Sequence, residues 1–347
     1  MKRAFGYFLA GVLCSAVALE LVFRVLPVST STQVGYYIDP LILTYPPHLG
    51  FKVATGWDLR NAHHHRSNNY GFLTRRDFVP DARAVALIGD SYVEASMLPE
   101  PDRLGGQLQH LLPARPVYAL GGPGSNLLDY AERARFAAAR FRISDFVFLI
   151  ERGDVRQVLC GSGNIHARCL DPVTLAPRIE KLPGPGTAKN LLRHSALAQY
   201  LFSQLKINPA ALPTQVKEAF SSAPSPAAAA TSTVPGPGDL PLETVDAIVG
   251  MFFRNLQAYG VTRVVLVFDC KRDALATADS ASDPVRDRFM QRAAQYGAIV
   301  VDMEPAFRRF VQETGLSLSV APSDGHWNVE ANRLAAEQIA PILDSGK

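Results

Sequence analysis

The chain has little charge. Asp, Glu, Lys and Arg make up 19% of its 347 residues, against 48% hydrophobic residues. That balance excludes a disordered chain and leaves enough apolar material for a full core, in one large domain or two small ones. The formal net charge is only +3, and the basic residues are scattered rather than gathered into runs, so nucleic acid is not an expected partner. Cysteine is scarce as well. Cys14, Cys160, Cys169 and Cys270 have no zinc-site spacing, and neither a metal site nor a cofactor is expected. Cys160 and Cys169 bracket a short Gly-rich loop, either as a local disulfide or as two free thiols.

What the chain has at its start is apolar length. After Met1-Lys2-Arg3, the twenty residues from Ala4 to Phe23 carry a single charge, Glu20. Twenty helical residues span about 30 Å, the thickness of a bilayer core, and basic residues on the short side favour that end staying inside. This predicts a single-pass transmembrane anchor over 1–26, with the rest of the chain in the periplasm or outside. Glu20 is placed to pair with Arg24 one turn on. Ala16-Val17-Ala18 also matches a signal-peptide cleavage site, and cleavage after Ala18 would instead release a secreted protein. Cys14 lies inside the apolar segment, and Gly11-Val12-Leu13 before it fits a lipoprotein signal poorly.

Residues 27–82 are rich in Tyr, Pro, Asn and His without a sustained period and read as an irregular membrane-proximal collar. His63-His64-His65 point in different directions on any backbone, so an exposed loop is expected there rather than a metal site. Asn68-Asn69-Tyr70-Gly71-Phe72 reads as a turn packed on the core. From residue 83 the pattern changes. Ala84-Val85-Ala86-Leu87-Ile88 has no helical spacing and predicts a strand buried on both faces, and Gly89-Asp90-Ser91 behind it predicts a tight turn into a helix. Further strands are expected at 116–120, 145–150, 264–268 and 298–302, with helices at 102–112, 128–142, 242–259, 284–296 and 331–343. Such alternation predicts an α/β fold, a three-layer doubly wound parallel sheet with right-handed crossovers. An insert at 155–241 interrupts this one domain, 83–347. Within it, an amphipathic helix at 188–205 is expected on the core rather than on a partner or membrane surface, and 221–241 reads as a low-complexity loop.

The turn at Ser91 would lift a hydroxyl above the carboxyl end of the sheet, where open α/β sheets bind ligands. A serine hydroxyl is unreactive alone. It needs a base, a group to orient the base, and donors for an oxyanion. Pro322-Ser323-Asp324-Gly325-His326-Trp327-Asn328 supplies His326 beside Asp324, on a loop ahead of the last helix. In this reading Ser91 is the nucleophile, His326 the base and Asp324 its orienter. Backbone N–H groups of Ser91 and of Gly124, in the Gly-rich loop 121–126, would hold the oxyanion. Each piece also has a plain reading: Ser91 or Asp324 as a helix cap, Gly124 as an ordinary turn residue.

These residues resemble the SGNH (GDSL-like) hydrolase superfamily. Gly89-Asp90-Ser91 matches its nucleophile block, Gly124 the oxyanion glycine of its second block, and Asp324 and His326 its last block, over about 83–343. The resemblance implies a flavodoxin-like fold and activity on carboxylic esters, often acetyl or other acyl groups on envelope sugars or lipids. Asn69-Tyr70-Gly71-Phe72 is similar to a run in membrane-anchored bacterial members. The Asp-x-His spacing followed by Trp-Asn is similar to the branch related to periplasmic polysaccharide O-acetyltransferases, which implies partners in envelope-polysaccharide machinery. One departure stands out: the third block has Arg152-Gly153-Asp154 where the family carries an asparagine. Gly153, Arg152 or Asn126 would have to complete the oxyanion hole. The readings left open are a serine esterase, an O-acyltransferase on an exopolysaccharide, and a non-catalytic scaffold whose oxyanion hole has decayed.

Overall fold

The computed structural model describes residues 2–30, 33–162, 168–180, 192–205, 207, 240–276, 282–321 and 324–344. The chain forms two units: a larger one from Val34–Leu49, Arg66–Leu182 and Ser232–Lys347, and a smaller one from Met1–Gln33, Gly50–His65 and Pro183–Thr231.

The described helices are α1 (Lys2–Val25), α2 (Ser91–Glu94), α3 (Leu104–Leu111), α4 (Leu127–Phe141), α5 (Asp154–Gln157), α6 (Ala196–Gln199), α7 (Leu242–Ala258), α8 (Pro284–Gln295), α9 (Glu304–Thr314) and α10 (Val329–Asp344). The strands are β1 (Gly35–Asp39), β2 (Ile42–Thr44), β3 (Gly50–Thr55), β4 (Arg60–Arg66), β5 (Val85–Gly89), β6 (Val117–Gly121), β7 (Asp145–Ile150), β8 (Arg168–Leu170), β9 (Pro177–Ile179), β10 (Arg263–Phe268), β11 (Ile299–Asp302), β12 (Ser319–Ala321) and β13 (Asp324–Trp327).

The larger unit is built on a parallel sheet of order β11-β10-β7-β5-β6. Chain order reverses beside β5, which lies between β6 and β7, and this is the switch point of a doubly wound α/β sheet. The apolar run of β5 is continuous because both faces are covered. Ala86 and Ile88 join a core with α4 and α7, while Val85 and Leu87 join one with α3 and α10. Burying a residue such as Ile88 or Leu87 contributes about 1.5–3 kcal/mol. The register pairs Gly89 with Gly121, and Phe268 with both Ile150 and Asp302. The carboxyl ends of all five strands therefore finish on one edge, where the next loops emerge.

The collar expected at 27–82 contains short regular elements. It holds two strand pairs, β1 antiparallel to β2 in the larger unit and β3 with β4 in the smaller. The strands are short, and the β1–β2 register is irregular, so no period of two shows in the sequence. The three histidines lie in β4 rather than in a loop. His63 and His65 alternate onto one side, with ring centroids 5.9 Å apart. The turn after Asn68 does pack on the core: the Asn68 carboxamide oxygen accepts from the N–H groups of Tyr70 and Phe72, and Phe72 is fully buried against Phe78.

In the insert, Cys160 and Cys169 form a disulfide. The low-complexity stretch at 221–241 lies outside the described residues except for 240 and 241, as does the start of the helix expected at 188–205. The described part of that helix is α6, continuing as a π-helical turn at Tyr200–Gln204. Beyond the collar strands, α5, the β8–β9 pair, α9 and the β12–β13 hairpin were not expected.

In the smaller unit α1 carries exposed apolar side chains on all sides. Its length, about 36 Å, and mean hydropathy of 2.0 over Arg3–Val25 are sufficient for a membrane span or a signal sequence. The Glu20 pair with Arg24 is present at 2.8 Å.

Candidate active site

The turn into Ser91 is made by Gly89 and Asp90. A Cβ at Gly89 would meet Val93 at 2.5 Å, so only glycine lets the chain turn so sharply. The Asp90 carboxylate then accepts from the Tyr92 N–H at 2.8 Å and caps the one-turn helix α2. Since Asp90 is the cap, the Ser91 hydroxyl remains free for chemistry. It lies 2.8 Å from His326 Nε2. On the far side of the ring, His326 Nδ1 lies 2.6 Å from Asp324 Oδ1. A carboxylate only accepts, so Nδ1 carries the proton and Nε2 is left to receive that of Ser91.

Asp324 and His326 sit on β13, not on a loop. Alternate residues of a strand share a face, and this is why a spacing of one intervening residue is enough. Nor is Asp324 a helix cap: Asn328 Oδ1 takes that role by accepting from the Ala331 N–H at 3.1 Å. Burial alone would hold His326 in its neutral form. The hydrogen bond and charge of Asp324, with further charge from Asp90 and Glu94, outweigh it and raise the imidazole pKa above its ordinary value.

The hairpin carrying this pair is held by groups that sequence reasoning missed. The Tyr92 hydroxyl donates to the Gly325 carbonyl at 3.0 Å, and the Arg272 guanidinium donates to the same oxygen. Arg272 is paired with Asp269, whose other oxygen accepts from Trp327 Nε1 at 2.9 Å. Trp327 is itself buried, edge-on to Phe307. Asp269 directly follows β10 at the edge where ligands bind, the one signal that could have drawn attention to it. Beside this clamp opens a cavity of about 720 Å³ whose walls include Tyr92, Glu151, Arg152, Arg272, Leu275 and Gly325. Tyr92 and Gly325 are the chain neighbours of Ser91 and His326.

The Gly-rich loop abuts the turn at Ser91. Gly122 N–H donates to the Asp90 carbonyl at 3.2 Å, and a Cβ on Gly121 would collide with the Glu94 backbone nitrogen. Gly124 takes a φ of +70°. The N–H groups of Ser91 and Gly124 make no hydrogen bond to described residues. Two of the other expected donors are already committed. Asn126 caps α4 through its oxygen and donates its amide to the Gln157 carbonyl, so it cannot swing toward Ser91. Gly153 N–H donates to Glu151 Oε2 at 2.6 Å. Arg152 keeps one nitrogen on Asp283 at 2.6 Å and reaches the cavity wall.

Beneath Ser91 lies a group of buried acids. Burial pushes Asp90 up to about 6. Burial, and then the charge of Asp90, push Glu151 up to about 7. Asp154 is raised for the same reasons and accepts from the Tyr130 hydroxyl at 2.9 Å. Arg133, fully buried, ties the region together. It donates to the Gly89 carbonyl at 2.8 Å, to Ser125 Oγ at 2.6 Å and to the Leu43 carbonyl at 3.2 Å. An arginine in an amphipathic helix reads as solvated, yet Tyr130, Ala134 and Ala137 place Arg133 on the apolar stripe.

No protein-family model and no curated protein matches the sequence. Solved structures do. They include LAE5, described as an α/β hydrolase enzyme from the metagenome of Lake Arreo, with 15% identity over 77% of this chain and 97% of that one and a TM-score of 0.41. A catalytic mutant of the acetylxylan esterase Axe2 from Geobacillus stearothermophilus has 12% identity over 76% and 95%, with a TM-score of 0.39. A member of the lipolytic protein G-D-S-L family from Veillonella parvula has 9% identity over 75% and 97%, with a TM-score of 0.38.

Among the described residues no group of three His, Cys, Asp or Glu side chains is placed to hold a metal ion. What the arrangement offers is a hydroxyl, an imidazole and a carboxylate in hydrogen-bond succession at the switch point of the sheet.

Proposed function

We propose that the protein is a serine esterase of the SGNH type, acting on ester-linked acyl groups of envelope carbohydrate or lipid from a single-pass anchor, α1. The observation that carries this reading is the continuous relay Ser91 Oγ to His326 Nε2, at 2.8 Å, and His326 Nδ1 to Asp324, at 2.6 Å. His326 takes the Ser91 proton as Oγ attacks the ester carbonyl, and Asp324 stabilises the imidazolium. The tetrahedral oxyanion is held by the Ser91 and Gly124 N–H groups, with Arg152 as a cationic donor in place of the missing asparagine. His326 then protonates the departing alkoxide, leaving an acyl-Ser91 ester, and water activated by His326 releases the acid. A sugar hydroxyl in place of that water would make the same enzyme an acyltransferase.

The test uses p-nitrophenyl acetate and a fluorophosphonate probe on the wild type and on Ser91→Ala. Turnover and labelling should both be present in the wild type and absent from the variant. Absence of both from the wild type would sink the esterase reading and favour a non-catalytic scaffold. Added acetylated or free oligosaccharide, followed by mass spectrometry, separates hydrolysis from transfer.

A further inference from the structure

Glu20 fixes the depth of its neighbours. If the hydrocarbon begins at Ala4, directly after Lys2 and Arg3, its roughly 30 Å ends about twenty residues later, near Phe23. Glu20 would then lie ~5 Å below the outer boundary, where an unpaired carboxylate is costly. It is fully partnered. It accepts from Ser195 Oγ at 2.8 Å, from the N–H groups of Ala196 and Leu197 at 3.1 and 2.9 Å, and from Arg24 Nε at 2.8 Å. These contacts bring the start of α6 down to the same depth, and they satisfy the first amides of a helix that would otherwise be orphaned there.

The next contacts continue outward along α1. Phe23 stacks on Tyr200 with ring centroids 4.1 Å apart, and the Tyr200 hydroxyl donates to the Trp57 carbonyl at 2.7 Å. Gln204 Nε2 donates to the carbonyls of Ala54 and Gly56, which ties the tip of the β3–β4 hairpin to the same place. Around this assembly Trp57 is 74% exposed, and Leu192, Phe202 and Val25 are exposed as well. The carbonyls of Ala54, Gly56 and Trp57 are turned inward onto Tyr200 and Gln204, while large apolar side chains, led by an indole, face out. That is the arrangement a lipid–water interface selects.

We infer that residues 192–205 and the β3–β4 tip form a membrane seat around the outer end of α1, with Trp57 inserted in the phospholipid interface. The inference rests on reading α1 as an uncleaved span.

The test uses native fluorescence, because Trp57 and the buried Trp327 are the two tryptophans of the chain. The full chain is reconstituted in phosphatidylcholine–phosphatidylglycerol vesicles, with and without phosphatidylcholine brominated near the top of its acyl chains, and compared with Trp57→Phe. Wild-type emission should lose most of its Trp57 component to the bromolipid and little to aqueous iodide, and W57F should show neither effect. If the chain floats with the vesicles but iodide quenches Trp57 and bromolipid does not, the seat is wrong while the anchor stands. Shielding from both quenchers would mean that protein, not lipid, covers Trp57, and would also overturn it. Failure to float, or an intact mass lacking the first eighteen residues, would remove the anchor and the seat together.

Discussion

Replacing Asp269 by asparagine separates what holds the β12–β13 hairpin from what would perform the chemistry in the proposed esterase. The Asp269 and Arg272 side chains are only 3% and 10% exposed, so the substitution leaves a buried guanidinium without its counter-ion. Breaking such a pair costs about 3–5 kcal/mol, a large share of the 5–15 kcal/mol typical of a domain. The new carboxamide can still accept from Trp327 Nε1 through its oxygen, but its nitrogen would face Arg272. Arg272 then loses the carboxylate that aims it at the Gly325 carbonyl, where the Tyr92 hydroxyl is the remaining donor to the strand bearing Asp324 and His326. A shift of about 1 Å at a reacting group costs on the order of 10²-fold in rate. We expect Asp269→Asn to lower kcat on p-nitrophenyl acetate by that order and to lower the urea midpoint in parallel. The double variant Asp269→Leu, Arg272→Met removes both charges. It should recover stability to within about 1–3 kcal/mol, the cost of leaving the Trp327 N–H unpaired, without recovering turnover. Wild-type turnover in D269N, or recovery of turnover together with stability in the double variant, would refute the clamp.

Other expectations follow from the same geometry. His326 must be neutral to accept the Ser91 proton, and its pKa is raised, so kcat/KM should climb with pH and level off only above the ordinary histidine value of about 6.5. Asp324→Asn removes the main raising partner and should shift that limb to lower pH while reducing the plateau. Glu151, at about 7, binds its proton in the folded state at pH values where the unfolded chain has released it. Stability contributed by this group is therefore lost as pH rises from about 4 to about 7, and Glu151→Gln should flatten the pH dependence of the melting temperature across that window. Arg133→Met leaves the Gly89 and Leu43 carbonyls and Ser125 Oγ without their donor. It should cost roughly 3 kcal/mol by urea denaturation and slow fluorophosphonate labelling of Ser91.

The five-stranded sheet was legible because burial on both faces writes itself as runs such as Ala84–Ile88 and Phe146–Ile150, and because turn residues follow each run. Ser91, Asp324 and His326 were legible as residue types in order. Their setting was not. A four-residue strand such as β13 is too short to show alternation, so His326 read as a loop residue and the Asp-x-His spacing lacked its reason. The clamp was hidden because it joins Tyr92, Asp269, Arg272 and Trp327 across more than two hundred residues of chain, where no local pattern can link them. Asn126 and Gly153 looked available because sequence names a donor but not the acceptor that already holds it.

That Asp324 and His326 ride on the same short strand has a mechanical consequence. Any displacement of β13 carries acid and base together, so the imidazole keeps its proton placement while only its distance from Ser91 changes. In the proposed esterase the site would thus fail in one coordinate: a loosened hairpin would retain a correctly polarised base that no longer reaches its nucleophile.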